Sequence, residues 1–480
     1  MAENTAAAPD SNINSNQAND AADLENNKKT TGSDSGTVST PEDDQEDAGN
    51  QTANSEQAAL IDFKTLEWWQ GGIILIAETV SLGILSLPSV LASVGLAPGI
   101  ALIVLMSVLS TYSCVVLGEF RKAHMDVENF GDAVEVISHS LGPLAAKVLQ
   151  EFFGWAQMIF QVLVAGSHIL TWTICMNTLT DSGACTVIWA FVGLGIFWFL
   201  NFPRTLSYAS YMSIASCLSI VIATLMTVGD VSRTRPIGNG HIDIARSLGL
   251  PPAMLAVTNI AVAFSSHSCF FSVYGEFKKP TDWPKALALL QIVDTSLYLI
   301  AAIVIYYYVG PDVPSPALSA AGSDVMRKAI WGVAIPTIVI AGVIYGHVAA
   351  EYVFTRIFRG TKHEIRRTWV STVSWLAITF SIWLIATVVS QSIPVFNSLL
   401  GLVAALFVSW FSYGLPGIFW LWMHHGNYFN KGWGQVARFV GNIVLVVVGA
   451  LLCVLGLWAS IEAIAQEKGN QPWSCASNAA

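Results

Sequence analysis

Two short polar clusters interrupt otherwise apolar sequence, and their residue types define the chemistry open to the chain. The first is Glu78, Thr79, Ser81 and Gly83, inside the run from Ile73 to Gly95. The second is Ser265, Ser266, His267 and Ser268, inside a run that begins near residue 252. Glu78 and His267 can each exchange a proton, and an ionisable group within a membrane span marks a functional site by default. A membrane core has no water for bare backbone groups, so an interrupted span needs a cavity or a ligand to satisfy its freed N–H and C=O. On this reading the backbone N–H groups around Ser81, Leu82, Gly83 and Ile84 suit a carboxylate, with Gly83 permitting close approach. The carbonyls around Phe264, Ser265 and Ser266 suit an ammonium. One zwitterionic α-amino acid satisfies both. The expected substrate-binding residues are therefore Thr79, Ser81, Leu82, Gly83, Ile84, Phe264, Ser265 and Ser266, and the expected proton-coupling residues are Glu78 and His267.

The elements that must position these residues are membrane helices. The chain is 53% hydrophobic and only 12% charged, where soluble proteins run to about 25% charged. Apolar runs of bilayer-spanning length recur from residue 71 onward, which makes this an all-α polytopic membrane protein. The net charge of −10 belongs to one segment: residues 1–62 hold 13 acidic and 2 basic residues, and the remainder is nearly neutral. There is no basic face for nucleic acid. Residues 1–62, rich in Ala, Asn, Ser and Thr and carrying the acidic run Glu42–Asp47, read as a disordered cytoplasmic tail. Lys28, Lys29 and several hydroxyl residues there are candidate sites for trafficking or ubiquitination machinery.

The spans read as 71–94, 97–119, 148–178, 184–202, 206–229, 252–274, 284–309, 328–356, 369–390, 395–423 and 436–462, eleven in all. Together they place a transmembrane domain at 63–465 and a short C-terminal tail at 466–480. With the N-terminus in the cytoplasm, 17 Lys and Arg fall on the cytoplasmic side and six on the outer side; the positive-inside rule therefore puts the C-terminus outside. The two interrupted segments, near 78–84 and 264–268, lie five spans apart. Pro98 and Pro284 each follow near the start of the next span. Paired interruptions at corresponding places point to a five-plus-five inverted repeat, with the eleventh helix an addition.

Other intramembrane ionisable residues carry less. His168 and His347 sit on apolar helices as packing or interhelical hydrogen-bond residues, and Asp294 and Glu351 read as partners for polar groups on neighbouring helices. Seven cysteines lack metal-ligand spacing; Cys185 and Cys475 fall on the same outer face, which leaves a disulfide between them open. No phosphate-binding loop, nucleophile elbow or HExxH is present. No enzymatic activity, cofactor or metal is expected.

The stretches AETVSLGILSLPSVLASVG at 77–95 and FSSHSCFFSVYGEFKKP at 264–280 resemble the amino acid/auxin permease family, in particular fungal neutral amino acid permeases of the Mtr type. Ser81 stands where many members have the first glycine of a G-x-G-I-L-x-L-P segment. His267, Glu276 and Pro280 match an F-x-x-H … E-x-x-x-P segment. The resemblance spans roughly residues 65–465 and implies a LeuT-type fold, alternating access and cation-coupled uptake of neutral amino acids. Thr337 is the lone hydroxyl where sodium-dependent transporters of this fold often carry a pair, and Glu78 stands where animal sodium-coupled relatives tend to carry a neutral amide. Both favour protons as the coupling ion. The expectation is a plasma-membrane proton symporter for neutral aliphatic and aromatic amino acids. The alternatives are a vacuolar exporter of the same fold and a sensor that binds amino acid without flux.

Overall fold

A computed structural model describes residues 66–204, 209–234, 242–366, 368–430, 432–466 and 471–479. The acidic tail at 1–62, with Lys28 and Lys29, lies outside the described residues.

Apolar sequence under lipid conditions closes its backbone hydrogen bonds within each segment, and the described chain is accordingly helical. The helices are α1 (Trp68–Val94), α2 (Leu96–Ala123), α3 (Phe130–Ser138), α4 (Pro143–Leu179), α5 (Thr186–Leu200), α6 (Ala209–Thr234) and α7 (Leu250–Ala263). There follow α8 (Phe270–Gly275), α9 (Trp283–Val309), α10 (Asp324–Phe358), α11 (Trp369–Ser392), α12 (Phe396–Val403), α13 (Leu415–Met423) and α14 (Trp433–Gln466). Local sequence sets several ends. Asn129 caps α3 by accepting from the Asp132 amide, Ser323 caps α10 by accepting from Met326, and Thr368 and Ser371 form a reciprocal box at α11. Pro284 sits in the first turn of α9, where its missing N–H costs nothing. Among the described residues the β-structure is one isolated bridge between Leu66 and Phe277.

Ten of these segments are long and apolar enough to cross a bilayer, counting α7–α8 and α12–α13 as one segment each. The expected span at 184–202 is the exception. It forms α5, a 15-residue helix, about 22 Å long at 1.5 Å per residue. That is shorter than a hydrocarbon core of about 30 Å.

Burial ranks the helices. In α1, 89% of the apolar window is buried against other helices, whereas in α14 the share is 28%. So α1 is the central element and α14 runs along the periphery. Around α1 pack α9, α7 and α6, while α4 and α6 pack on α10. Between α12 and α13 the chain winds as a π-helix over Ala404–Gly414. α14 crosses it at Gly449, where a Cβ would come within 2.6 Å of the Ser409 carbonyl oxygen.

Residues 471–479 fold back onto the bundle. Cys475 is disulfide-bonded to Cys185, which resolves the pairing that spacing alone left open. Thr186 donates to the Ala476 carbonyl at 2.6 Å. Asn478 accepts from Asn177 at 2.8 Å and donates to Thr173 at 2.9 Å.

The expected interruption of the first span is corrected by the structure. α1 is helical at every residue from Trp68 to Val94. Its polar residues are absorbed locally, because short hydroxyl side chains can bond carbonyls one turn back. Thr79 lies 3.0 Å from the Leu75 carbonyl oxygen, Ser86 donates to Gly83 at 3.0 Å, and Ser89 donates to Ser86 at 2.7 Å. The backbone N–H groups of Ser81, Leu82, Gly83 and Ile84 belong to a continuous helix. Gly83 serves close approach, but to protein: a Cβ there would meet the Ala263 Cα at 2.7 Å.

Candidate functional site

The second interruption is present. α7 ends at Ala263, the Phe264 and Ser265 N–H groups make loose three-residue bonds back to Ala261 and Val262 at 3.3 Å and 3.2 Å, and a 3₁₀ turn over Ser266–Cys269 leads into α8. The Ser265 hydroxyl donates back to the Val262 carbonyl at 2.7 Å, competing with helix continuation. The freed carbonyls are not left for a ligand. Tyr298 of α9 donates to Ala263 at 2.8 Å, Ser110 of α2 donates to Phe264 at 2.9 Å, and Gln157 of α4 donates to Ser268 at 3.1 Å. The expected ammonium acceptor at Phe264 is therefore engaged by the Ser110 hydroxyl.

Packing brings α1 against this break at Glu78. The Glu78 side chain is buried with 4% exposure, and both carboxyl oxygens lack a hydrogen bond. Cys269 of the break and Tyr345 of α10 face the carboxyl, and the Tyr345 hydroxyl reaches the Glu78 main-chain oxygen at 3.5 Å. None of the ion pairs among the described residues involves Glu78. The groups facing this buried carboxyl are a hydroxyl and a thiol rather than a cation, so an anion here has only neutral neighbours to offset its lost hydration.

Thr79 joins α1 to α9. Its hydroxyl donates to Asp294 at 2.7 Å while lying 3.0 Å and 3.2 Å from the Leu75 and Ile76 carbonyl oxygens. Three acceptors thus surround one hydroxyl hydrogen. The second Asp294 oxygen has no partner. His267 is fully buried, with its Nε2 at 3.2 Å from the Cys114 sulfur and its Nδ1 without a partner. Ser81 is buried and at most grazes the Glu78 carbonyl, at 3.5 Å. Leu82 and Ile84 are core packing, and His168 and His347 are buried in the bundle: His168 bonds the Ile338 carbonyl at 3.0 Å, and the His347 ring packs 5.0 Å from that of Trp375. Thr337 pairs with Ser216 at 3.0 Å.

A cavity of about 580 Å³ lies next to the break, along α8, and is lined by Gln157, Gln161, Phe271, Ser272, Glu276 and Glu351, among others. Gln157 touches both, since it lines this vestibule and bonds Ser268. At the far end of α1 the loop at 242–248 closes over the helix: Leu96 and Ala97 donate to the Asp243 and Ile244 carbonyls at 3.0 Å and 2.9 Å, and Arg246 donates to Val94 at 3.1 Å. Asn397 adds a bond to Ser89 at 3.2 Å.

Glu276 lies between the membrane segments, at the vestibule wall. Burial, and next the Glu351 carboxylate, pushes its pKa above the ordinary carboxylate range.

Sequence reasoning placed Glu78, Thr79 and the 264–268 break, and the structure brings them together. It missed Tyr345, Cys269, Tyr298, Ser110 and Gln161 as parts of the site. Asp294 and Tyr298, four residues apart on one helix, were the available signal, since that spacing shares a face.

The chain has clear relatives. A profile of transmembrane amino acid transporter proteins matches residues 64–462. The N amino acid transport system protein of Neurospora crassa is 29% identical over 427 residues, covering 86% of this chain and 89% of that protein. A transmembrane transporter of Gibberella moniliformis is 27% identical, with 90% and 93% covered. The lysine histidine transporter-like 6 of Arabidopsis thaliana is 22% identical, with 80% and 88% covered.

Proposed function

The chain belongs to the transmembrane amino acid transporter family, and from that premise we propose that it is a proton symporter importing neutral aliphatic and aromatic amino acids by alternating access. The observation that carries the coupling ion is Glu78: a carboxyl buried on the central helix, facing the break, with the neutral Tyr345 and Cys269 side chains beside it and no ion pair among the described residues. A proton taken up there removes a charge that the bundle cannot otherwise hold, which lets the α1 and α7–α8 pair move past its scaffold. Sodium coupling finds less support, because Thr337 is engaged by Ser216. Neutral substrates fit a break at 264–268 whose own residues carry no Lys, Arg or acid, and a relative named an amino acid transport system protein supports an amino acid as the cargo.

A LeuT-type arrangement of eleven crossings, N-terminus inside, is the topology we infer. Its support is geometric. Interhelix ion pairs join residues assigned to one face, as in Glu119–Arg438, Glu151–Arg356 and Asp181–Lys328. α5 begins beside the Cys185–Cys475 disulfide and is followed by Arg204, which donates to Ser371 and the Glu364 carbonyl on the opposite face. On that assignment the vestibule is cytoplasmic and the structure faces inward.

The substrate in this reading sits where α1 meets Ser265 and Ser266. The backbone of Ser81–Ile84 is not its carboxylate site in this state, because that backbone is helical and covered at Gly83 by Ala263. The plasma membrane is the proposed location. Uptake of labelled leucine and phenylalanine into permease-deficient yeast, at acidic and neutral external pH with and without sodium, tests the proposal. Uptake that follows sodium and ignores pH overturns the coupling ion; surface protein without uptake overturns transport in favour of a sensor.

A further inference from the structure

The vestibule holds polar groups that the coupling reading does not use. Glu276, just past α8, and Glu351, on α10, both line the cavity and repel one another. Gln161 of α4 lines it too; its side chain is 1% exposed, and neither its amide oxygen nor its amide nitrogen has a hydrogen-bond partner. Buried amides are rarely left so, and an explanation is owed to each. Three cations in or near this wall have other contacts, while Arg359 and the acids Glu128, Asp132 and Glu364 also line the cavity. Arg121 donates to the His124 and Met125 carbonyls, Arg356 pairs with Glu151, and Arg204 attracts Glu351 while bonding Ser371 and the Glu364 carbonyl.

Two carboxyls and one unpartnered amide lining the same cavity offer acceptors for an ammonium and a donor for a carboxylate. Among the described residues no group of three or more His, Cys, Asp or Glu could hold a metal ion, so an organic ammonium fits better than a metal. We propose that this wall is a second amino acid site, occupied by the substrate on its way out: Glu276 and Glu351 hold the ammonium, and the Gln161 amide N–H meets the carboxylate. The site is distinct from the break, reached from it past Phe271 and Ser272, and it takes the same zwitterion; in naming the ligand it rests on the transport reading above.

Two measurements test it. Equilibrium binding of labelled leucine to the purified full chain yields two molecules per chain, falling to one in Glu276→Gln and in Gln161→Leu. Half-saturation for leucine, measured from each side of reconstituted vesicles, rises on the vestibule side by about tenfold, the effect of one lost hydrogen bond to a charged group. On the other side it stays within about twofold. Glu351→Asp, which keeps the charge, retains the second molecule. One leucine per chain in the wild type, or half-saturation raised equally on both sides, overturns the exit site. Two bound molecules with no flux in any vesicle would overturn the transport reading instead and leave this site standing.

Discussion

Gly83→Ala separates two accounts of the first polar cluster. If Gly83 exists to let a ligand approach, a methyl group there weakens substrate affinity and leaves stability alone. The structure argues otherwise, because the added carbon would stand 2.7 Å from the Ala263 Cα, 2.9 Å from its Cβ and 3.2 Å from the Tyr298 hydroxyl. Ala263 cannot swing aside: its Cα is backbone, and its carbonyl is held by Tyr298 at 2.8 Å. Overpacking of this kind costs about 1–3 kcal/mol. A matched control removes the helix-propensity term. Gly332, within α10, has open space where a methyl group would stand, with nothing within 4 Å, so Gly332→Ala gains up to about 1 kcal/mol from propensity alone. The gap in unfolding free energy between the two variants therefore reads the overpacking cost directly, about 1–3 kcal/mol with Gly83→Ala the weaker. Denaturant titration of the purified variants in mixed micelles measures it. Equal stability of the two variants, with leucine affinity lost in Gly83→Ala, would refute the packing argument and restore the ligand reading.

Other outcomes follow from the same contacts. Tyr298→Phe and Ser110→Ala each leave a buried carbonyl at the break without its donor, and each destabilises by about 1–3 kcal/mol in the same titration. Cys475 resists maleimide labelling in the intact protein and labels after reduction, because it is bonded to Cys185; free labelling before reduction would remove the C-terminal strap from the account. Glu276 has its pKa raised by burial and by Glu351, so its carboxylate is lost as vestibule pH falls through that raised value and is fully present above it. Leucine affinity on the vestibule side therefore falls on acidification, and Glu276→Gln flattens the profile; an unchanged slope in the variant contradicts the assignment.

Much of the fold was legible because lipid leaves few choices. A long apolar run must close its own hydrogen bonds, so spans such as 252–274 and 436–462 could be read directly from composition. The break at Ser265–Ser268 was legible for the same reason: a run of small polar residues on an apolar helix competes for the backbone. The identical argument failed at Glu78–Gly83. There the Thr79 hydroxyl is spent on Asp294 of α9 and carbonyls of its own helix, Ser86 bonds back to the Gly83 carbonyl, and Gly83 makes room for α7, so polar residues that resemble a break instead seal a helix crossing. What sequence could not show was the partner of each group. Asp294 lies 215 residues from the Thr79 hydroxyl that bonds it, and Gln161 is informative only because nothing meets its amide. The short α5 was also misjudged in length, its apolar composition extending past the helix that forms.

The central claim is that Glu78 carries the coupled proton. Purified protein reconstituted into liposomes with a trapped pH dye reports substrate and proton movement together. The account predicts that adding leucine to wild-type vesicles acidifies the lumen, with sodium making no difference, and that Glu78→Gln still binds leucine but no longer moves protons with it. Lumenal acidification in Glu78→Gln equal to that of the wild type would contradict the claim.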